Sequence, residues 1–192
     1  MSLSHPVKPM DVKHAQGLDT RWRRWLQNPY NIFQPYIKEG MKVMDFGCGS
    51  GFATEDLLKL VGPTGKVSAV DCQREMLEIT KRKVSAPNLN FIQYHAGKGV
   101  VSQEELGSYD LVIAFYVMHE VEELGKALAD LRAALKPGGQ LIMIEFSFDR
   151  RFESYLDTAI TQGFHVRKGP RVFLSRTASL PVPEISPSFW QV

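Results

Sequence analysis

The sequence predicts an α/β domain built on a doubly wound sheet of seven strands, mostly parallel, with an antiparallel last strand. Three observations lead there. Between about residues 41 and 180, short runs rich in valine, isoleucine and phenylalanine alternate with segments whose apolar residues recur every three or four positions. A glycine-rich turn follows the first run, where open α/β sheets bind ligands. The last two runs are separated only by Gly169-Pro170, a connection short enough to require an antiparallel pair.

The elements follow in order. Met41 to Phe46 reads as the first strand, then comes the glycine turn and a helix over about 52–61, stopped by Gly62-Pro63. Lys66 to Val70 is the second strand, and a helix around 74–84 ends at Ala86-Pro87-Asn88, before a third strand over 89–94. Asp110 to Phe115 is the fourth. From Val121 onward Leu124, Leu128, Leu131 and Leu135 share a helical face, and Lys136-Pro137-Gly138-Gly139 ends that helix before a fifth strand over 140–146. Phe152, Leu156 and Ile160 mark another helix closed by Gly163, and residues 164–168 and 171–180 complete the sheet. Upstream, Trp22, Trp25, Leu26, Tyr30, Phe33 and Tyr36 form an aromatic prefix in which Asn28 caps a short helix beginning at Pro29. The chain thus divides into a prefix or lid over 1–36, a domain over 37–180 and a proline-rich tail over 181–192.

Composition narrows the function. At 192 residues, with 44% hydrophobic and 23% charged, the chain suits one core. A net charge of +2 implies no polyanionic partner. Two cysteines argue against a disulfide scaffold and for a reducing, cytoplasmic location. No apolar run approaches the roughly 20 residues of a membrane span, and the first ten residues offer no signal-peptide core.

The stretch Asp45-Phe46-Gly47-Cys48-Gly49-Ser50-Gly51 places three alternating glycines between a strand and a helix. Its third glycine comes one residue too early for a dinucleotide fingerprint, but it still lets backbone approach a ligand that a Cβ would repel. Asp71, 20 residues beyond Gly51, can accept hydrogen bonds from ribose hydroxyls. Asp45 adds a carboxylate for an ammonium group. A nucleoside carrying an amino acid suits both.

These residues resemble the first and second motifs of the class I S-adenosylmethionine-dependent methyltransferases, whose Rossmann-like domain would cover about residues 35–180. Asp110, Lys136-Pro137-Gly138-Gly139 and the final hairpin keep the family's order. The resemblance implies S-adenosyl-L-methionine as cofactor, with S-adenosyl-L-homocysteine as product. Gly47, Gly49 and Gly51 would pass beneath its methionine part and Asp71 would bind its ribose. Cys48 would fill space beside it, Cys72 and Gln73 would border the adenine, and Met76 would wall it. His95-Ala96 stands where the family often has an acid before a small residue, and Phe115 closes the fourth strand beside the site. The stretch Ala114-Phe115-Tyr116-Val117 lacks the Asn/Asp-Pro-Pro-aromatic motif of nucleobase amino methyltransferases, while Val117-Met118-His119-Glu120 is similar to small-molecule methyltransferases of the quinone-pathway branch.

His119 is the first candidate for a general base or a hydrogen-bond orienter, against the plainer reading of a helix cap. Tyr116 and Glu120 rank below it. Trp25, Tyr30, Phe33 and Tyr116 are candidates for an acceptor pocket, against a simple cap on the sheet. The five histidines show no ligand spacing, so no metal is expected. The expected partner is a small-molecule methyl acceptor. Rival readings are a non-catalytic cofactor-binding module and an RNA methyltransferase using a basic surface of Arg21, Arg23, Arg24, Arg150, Arg151, Arg167, Lys168, Arg171 and Arg176.

Overall fold

The computed structural model describes residues 21–169 and 174–184. Expectations resting on residues 1–20, on the side chains of Arg21, Trp22 and Arg23, on Arg171 and on the tail beyond Glu184 lie outside the described residues.

Two short helices, α1 (Arg21–Leu26) and α2 (Pro29–Phe33), precede the sheet. α2 starts as its sequence dictates: Pro29 occupies the first turn, and the Asn28 side chain accepts the backbone N–H of Asn31 at 3.4 Å. There follow β1 (Lys42–Phe46), α3 (Thr54–Val61), β2 (Lys66–Asp71), α4 (Arg74–Lys83), β3 (Leu89–Gln93), β4 (Tyr109–Phe115), α5 (Leu124–Ala134), β5 (Leu135–Phe146), α6 (Phe152–Thr161), β6 (Arg167–Lys168) and β7 (Ser175–Pro181). The seven strands lie in the order β3-β2-β1-β4-β5-β7-β6. β1 to β5 pair in parallel, and β7 runs antiparallel to both β5 and β6.

Alternation at a period of two sends successive residues of the central strands to opposite faces, and both faces are covered. Met44, Val112, Ala114, Leu141 and Met143 pack with Leu128, Leu131, Phe152 and Leu156 of α5 and α6. Val43, Leu111, Ile113, Ile142 and Ile144 pack on the other side with Phe33, Leu57 and Val61 of α2 and α3. Strand order reverses between β1 and β4, and in open sheets the crevice at that switch point, outside the carboxyl ends, is where a ligand sits.

Four expectations change. The stretch Lys136-Pro137-Gly138-Gly139 does not separate α5 from β5 but bulges within β5: Tyr109 pairs with Leu135 and Leu111 with Gln140. α5 begins at Leu124 and not at Val121, because Met118–Glu120 forms a 3-10 turn first. Of the strand expected over 164–168 only Arg167–Lys168 pairs, and β7 begins at Ser175, with Leu174 in a turn before it. Phe164 instead turns into the core between α6 and the sheet. β7 runs through Pro181, and Val182 still bonds to Gly139, so the sheet continues beyond Leu180.

Candidate active site

The carboxyl ends of β1, β2 and β4 open into a cleft of about 870 Å³, near the top of the ~300–1,000 Å³ range of small-molecule sites. Asp45, Gly47, Cys48, Gly49, Asp71, Cys72, Gln73, Met76, His95, Ala96, Phe115, Tyr116 and His119 all line it. Gly51, Trp25, Tyr30 and Phe33 do not.

The three glycines have different duties. All carry positive φ, at 72°, 53° and 78° for Gly47, Gly49 and Gly51. A Cβ on Gly47 would lie 2.2 Å from Val117 Cγ2, and one on Gly51 would lie 2.8 Å from Thr80 Cγ2. Those two therefore serve packing against the protein. A Cβ on Gly49 would meet nothing within 4 Å. Gly49 turns toward open space, and its N–H is donated to Asp71 Oδ2 at 2.9 Å while Gln73 N–H bonds Oδ1 at 2.9 Å. Asp71 thus braces the turn and keeps lone pairs for a further donor. Burial raises its pKa, against the two backbone bonds, with Glu120 adding to the rise.

Asp45 is buried and accepts a hydrogen bond from Thr54 Oγ1 at 2.6 Å. Burial pushes its pKa up to about 6, opposed by Thr54 and reinforced by Asp71. Ser50, also in the cleft wall, is 4% exposed. Its Oγ is, among the described residues, the only buried side-chain oxygen or nitrogen lacking a hydrogen-bond partner. A buried hydroxyl left so costs roughly 1–3 kcal/mol. An open backbone face at Gly49, two carboxylates and an orphan donor together fit a nucleoside that carries an amino acid. Burial raises both thiols, Cys72 to about 11 and Cys48 well above its usual range, so both stay neutral beside such a ligand.

Across the cleft, the turn after β4 positions His119. Its Nδ1 lies 2.9 Å from Glu145 Oε2, and Glu145 Oε1 accepts the N–H of Met118 at 2.7 Å. His119 Nε2 is 3.5 Å from Glu120 Oε1. Burial would lower the imidazole pKa, but Glu120 and Glu145 outweigh it and push it up to about 9. At that value the ring holds its proton at neutral pH, so service as a base requires that proton to leave first. His119, Glu145 and Asp149 offer ligand atoms within 4.8 Å of one another. Asp149 is already bonded by Arg151 and Tyr155, and a metal ion would face the Arg151 guanidinium.

The remaining wall is aromatic. Phe115 stacks with Phe52 at 6.1 Å, Tyr116 with Phe146 at 4.3 Å, and Phe146 with Phe148 at 5.0 Å. Tyr116 holds φ at 57°, a strained value for a non-glycine residue. Its hydroxyl bonds Ser175 Oγ and accepts Gln27 Nε2 at 2.8 Å. Of the aromatic prefix, Phe33 is fully buried edge-on to Phe115, while Trp25 is 73% exposed and Tyr30 is 37% exposed. Among the described residues, polar side chains of the prefix also reach the cleft wall. Gln27 contacts Tyr116, and Arg24 pairs with Asp56 at 2.8 Å and lies over the Phe52 ring.

Sequence reasoning left Ser50, Phe52, Tyr94, Lys98, Glu145 and Phe146 unassigned. The acid in the apolar run Leu141-Ile142-Met143-Ile144-Glu145 was a readable signal, since a buried carboxylate demands partners. Of the basic residues considered for RNA, Arg24, Arg151, Lys168 and Arg176 are spent on Asp56, Asp149 and Glu153.

The profile of the methyltransferase-domain family matches residues 37–171. A demethylmenaquinone methyltransferase of Lactococcus lactis is 34% identical over 122 residues, 60% of this chain and 48% of that protein. A malonyl-[acyl-carrier protein] O-methyltransferase of Halalkalibacterium halodurans is 34% identical over 116 residues, 60% of this chain and 42% of that protein. The chain spans about half the length of the curated relatives it matches. Among solved structures, an S-adenosylmethionine-dependent methyltransferase from Aquifex aeolicus superposes with a TM-score of 0.81 at 25% identity, covering 91% of this chain and all of that one. A motif-bearing glycine turn, a braced acid at the end of β2 and a sheet ending in an antiparallel strand agree with these matches, and the chain belongs to the methyltransferase-domain family of S-adenosylmethionine-dependent enzymes.

Proposed function

We propose that this protein transfers the methyl group of S-adenosylmethionine to a small, planar acceptor bearing a removable proton. One observation carries the reading: the cofactor residues Gly49, Ser50 and Asp71 and the His119–Glu145 pair line or adjoin a single cleft. When bound, the cofactor would supply a methyl group on a sulfonium, with the carbon–sulfur bond's electrons left on sulfur as the acceptor atom takes the carbon and sheds a proton. Asp71 would hold the ribose and Asp45 the ammonium, and Ser50 Oγ–H would donate to the amino-acid end. Phe52, Phe115, Tyr116 and Phe146 orient a flat acceptor by ring contact and keep water out, and orientation of this kind is worth up to about 7–11 kcal/mol.

His119 takes the acceptor's proton at Nε2, while Nδ1–H stays with Glu145. The resting ring is protonated, so its proton must first leave. A cationic ligand in the same cleft favours that departure, because like charges disfavour each other's charged form. A quinol-like ring suits the aromatic wall better than a flexible acyl chain does. No helix among the described residues is long and apolar enough to cross a membrane.

The test is calorimetry with S-adenosylhomocysteine followed by assay of a demethylated quinol and malonyl-acyl carrier protein. Asp71→Asn should weaken binding by about 1.5–3 kcal/mol. His119→Gln should retain binding and lose at least about a hundredfold in transfer, the lower range of acid–base contributions. Absence of S-adenosylhomocysteine binding in the folded wild type would end the reading. Transfer only to the carrier protein would replace the planar acceptor with an acyl one.

A further inference from the structure

His119 lies between two carboxylates that differ in their access to water. Glu145 is fully buried, and its two oxygens are taken by Met118 N–H and His119 Nδ1. Glu120 lines the cleft with 21% of its side chain exposed, and its Oε1 stands 3.5 Å from His119 Nε2. We infer that Glu120 is the proton exit of the site, taking from His119 Nε2 the proton that an acceptor gives up and passing it to water. This rests on the reading of His119 as the proton acceptor.

The route follows from counting protons and partners. Each transfer to an acceptor X–H forms one X–C bond and leaves one proton over, which arrives on Nε2 because Nδ1 is committed to Glu145. It then passes to Glu120 Oε1 and on to solvent, and the Nε2 lone pair is restored for the next turnover. No alternative lies inward, since Glu145 has no exposed surface.

Among the described residues, Arg151 and Asp149 from the turn after β5 also stand near the ring. Arg151 Nη1 donates to the His119 carbonyl at 3.4 Å, and a guanidinium accepts no proton. Asp149 accepts Arg151 Nε at 3.1 Å on Oδ1, and Arg151 Nη2 at 3.1 Å and Tyr155 OH at 2.9 Å on Oδ2. Those bonds hold its pKa low, despite its burial. His119 also lines the cleft, with 23% of its side chain exposed, and among the described residues Glu120 is the carboxylate that faces Nε2 there. Its charge also reaches Asp71 and Cys72 on the cofactor side, which places it between the two ends of the cleft.

The experiment uses the full chain with 15N-labelled histidine, and His119→Gln identifies the His119 signal among the five. At pH 8, with and without S-adenosylhomocysteine, one measures the exchange of the Nε2 proton with water and the titration of the ring. Glu120→Gln should slow exchange at least tenfold and lower the titration midpoint. Unlabelled imidazole buffer should restore the exchange, and Glu120→Asp should keep most of it. Unchanged exchange in a folded Glu120→Gln protein overturns the proposal, as does slowing that buffer fails to relieve, because that marks a structural change. Failure of S-adenosylhomocysteine to bind the wild type would instead strike the methyltransferase reading, and the exchange result would still stand or fall by itself.

Discussion

The two ends of the cleft are made in different ways. The cofactor end comes from two neighbouring strand ends: Gly47–Gly51 follow β1, Asp71 ends β2 with Cys72 and Gln73 after it, and Asp71 ties them by bonds to Gly49 and Gln73 backbone. The acceptor end gathers segments far apart in the chain. Gln27 meets Tyr116 across 89 residues, Tyr116 meets Ser175 across 59, and His119 meets Glu145 across 26. One end is backbone geometry set by local spacing, and the other is a convergence of side chains that only the completed sheet brings together. The first can bind a cofactor common to a family, while the second is free to vary with the acceptor.

If the ends are separate, each should break without the other. The largest expected effect is at the acceptor end. Glu145→Ala leaves His119 without its buried partner and Met118 N–H unpaired, a change that costs about 3–5 kcal/mol in comparable buried pairs. Urea denaturation measures it. The loss should depend on pH with a definite sign. The folded-state pKa of His119 is raised from 6.5 to about 9, so its stabilisation is fully present below pH 6.5 and disappears as pH rises through about 9. The gap between wild type and Glu145→Ala should therefore narrow across that window. Binding of S-adenosylhomocysteine by the folded variant should change less than about threefold, roughly 0.6 kcal/mol. A larger loss would show that the two ends are one unit.

At the cofactor end the glycines provide a sharper contrast. Gly47→Ala should cost about 2–4 kcal/mol of stability, because its Cβ would strike Val117 in an over-packed place and at positive φ. Gly49→Ala meets no protein atom and should cost only the backbone strain, about 1–2 kcal/mol, yet its methyl group would occupy the open face and weaken S-adenosylhomocysteine binding. Thermal denaturation and calorimetry separate the two. Equal behaviour of the variants would mean that Gly49, like Gly47, serves packing.

The same contrast explains what the sequence made legible. Strand and helix order, the glycine turn and Asp71 were readable because they depend on periodicity and on short spacings, which one chain displays directly. His119 was readable as a residue but not in its charge state, since that depends on Glu145 from another strand. The aromatic prefix was readable as apolar, with Phe33 in the core, but the contacts of Arg24 with Asp56 and Phe52 and of Gln27 with Tyr116 were not. Side-chain type signals burial, whereas the partner is settled by tertiary geometry. The bulge in β5 escaped notice because a Pro-Gly-Gly stretch reads equally as a turn or as an irregular strand.

The smallest expected effect tests whether the cofactor end is itself divided into nucleoside and amino-acid parts. Ser50 Oγ is buried without a partner, so its hydroxyl costs stability until a ligand atom accepts it. Ser50→Ala should leave the free protein as stable as before, or more stable by up to about 1 kcal/mol, as read by thermal denaturation. The same change should weaken S-adenosylhomocysteine by about 0.5–1.5 kcal/mol, the net worth of one hydrogen bond. It should leave 5′-methylthioadenosine, which has the nucleoside but no amino acid, with its affinity unchanged. Equal weakening of both ligands would assign Ser50 to the shape of the turn. Weakening of neither would mean that the hydroxyl stays outside the bound contact and that Asp45 carries the amino-acid end alone. In that case S-adenosylhomocysteine should still bind more weakly as pH falls through about 6, because protonating Asp45 removes the charge that its ammonium group needs.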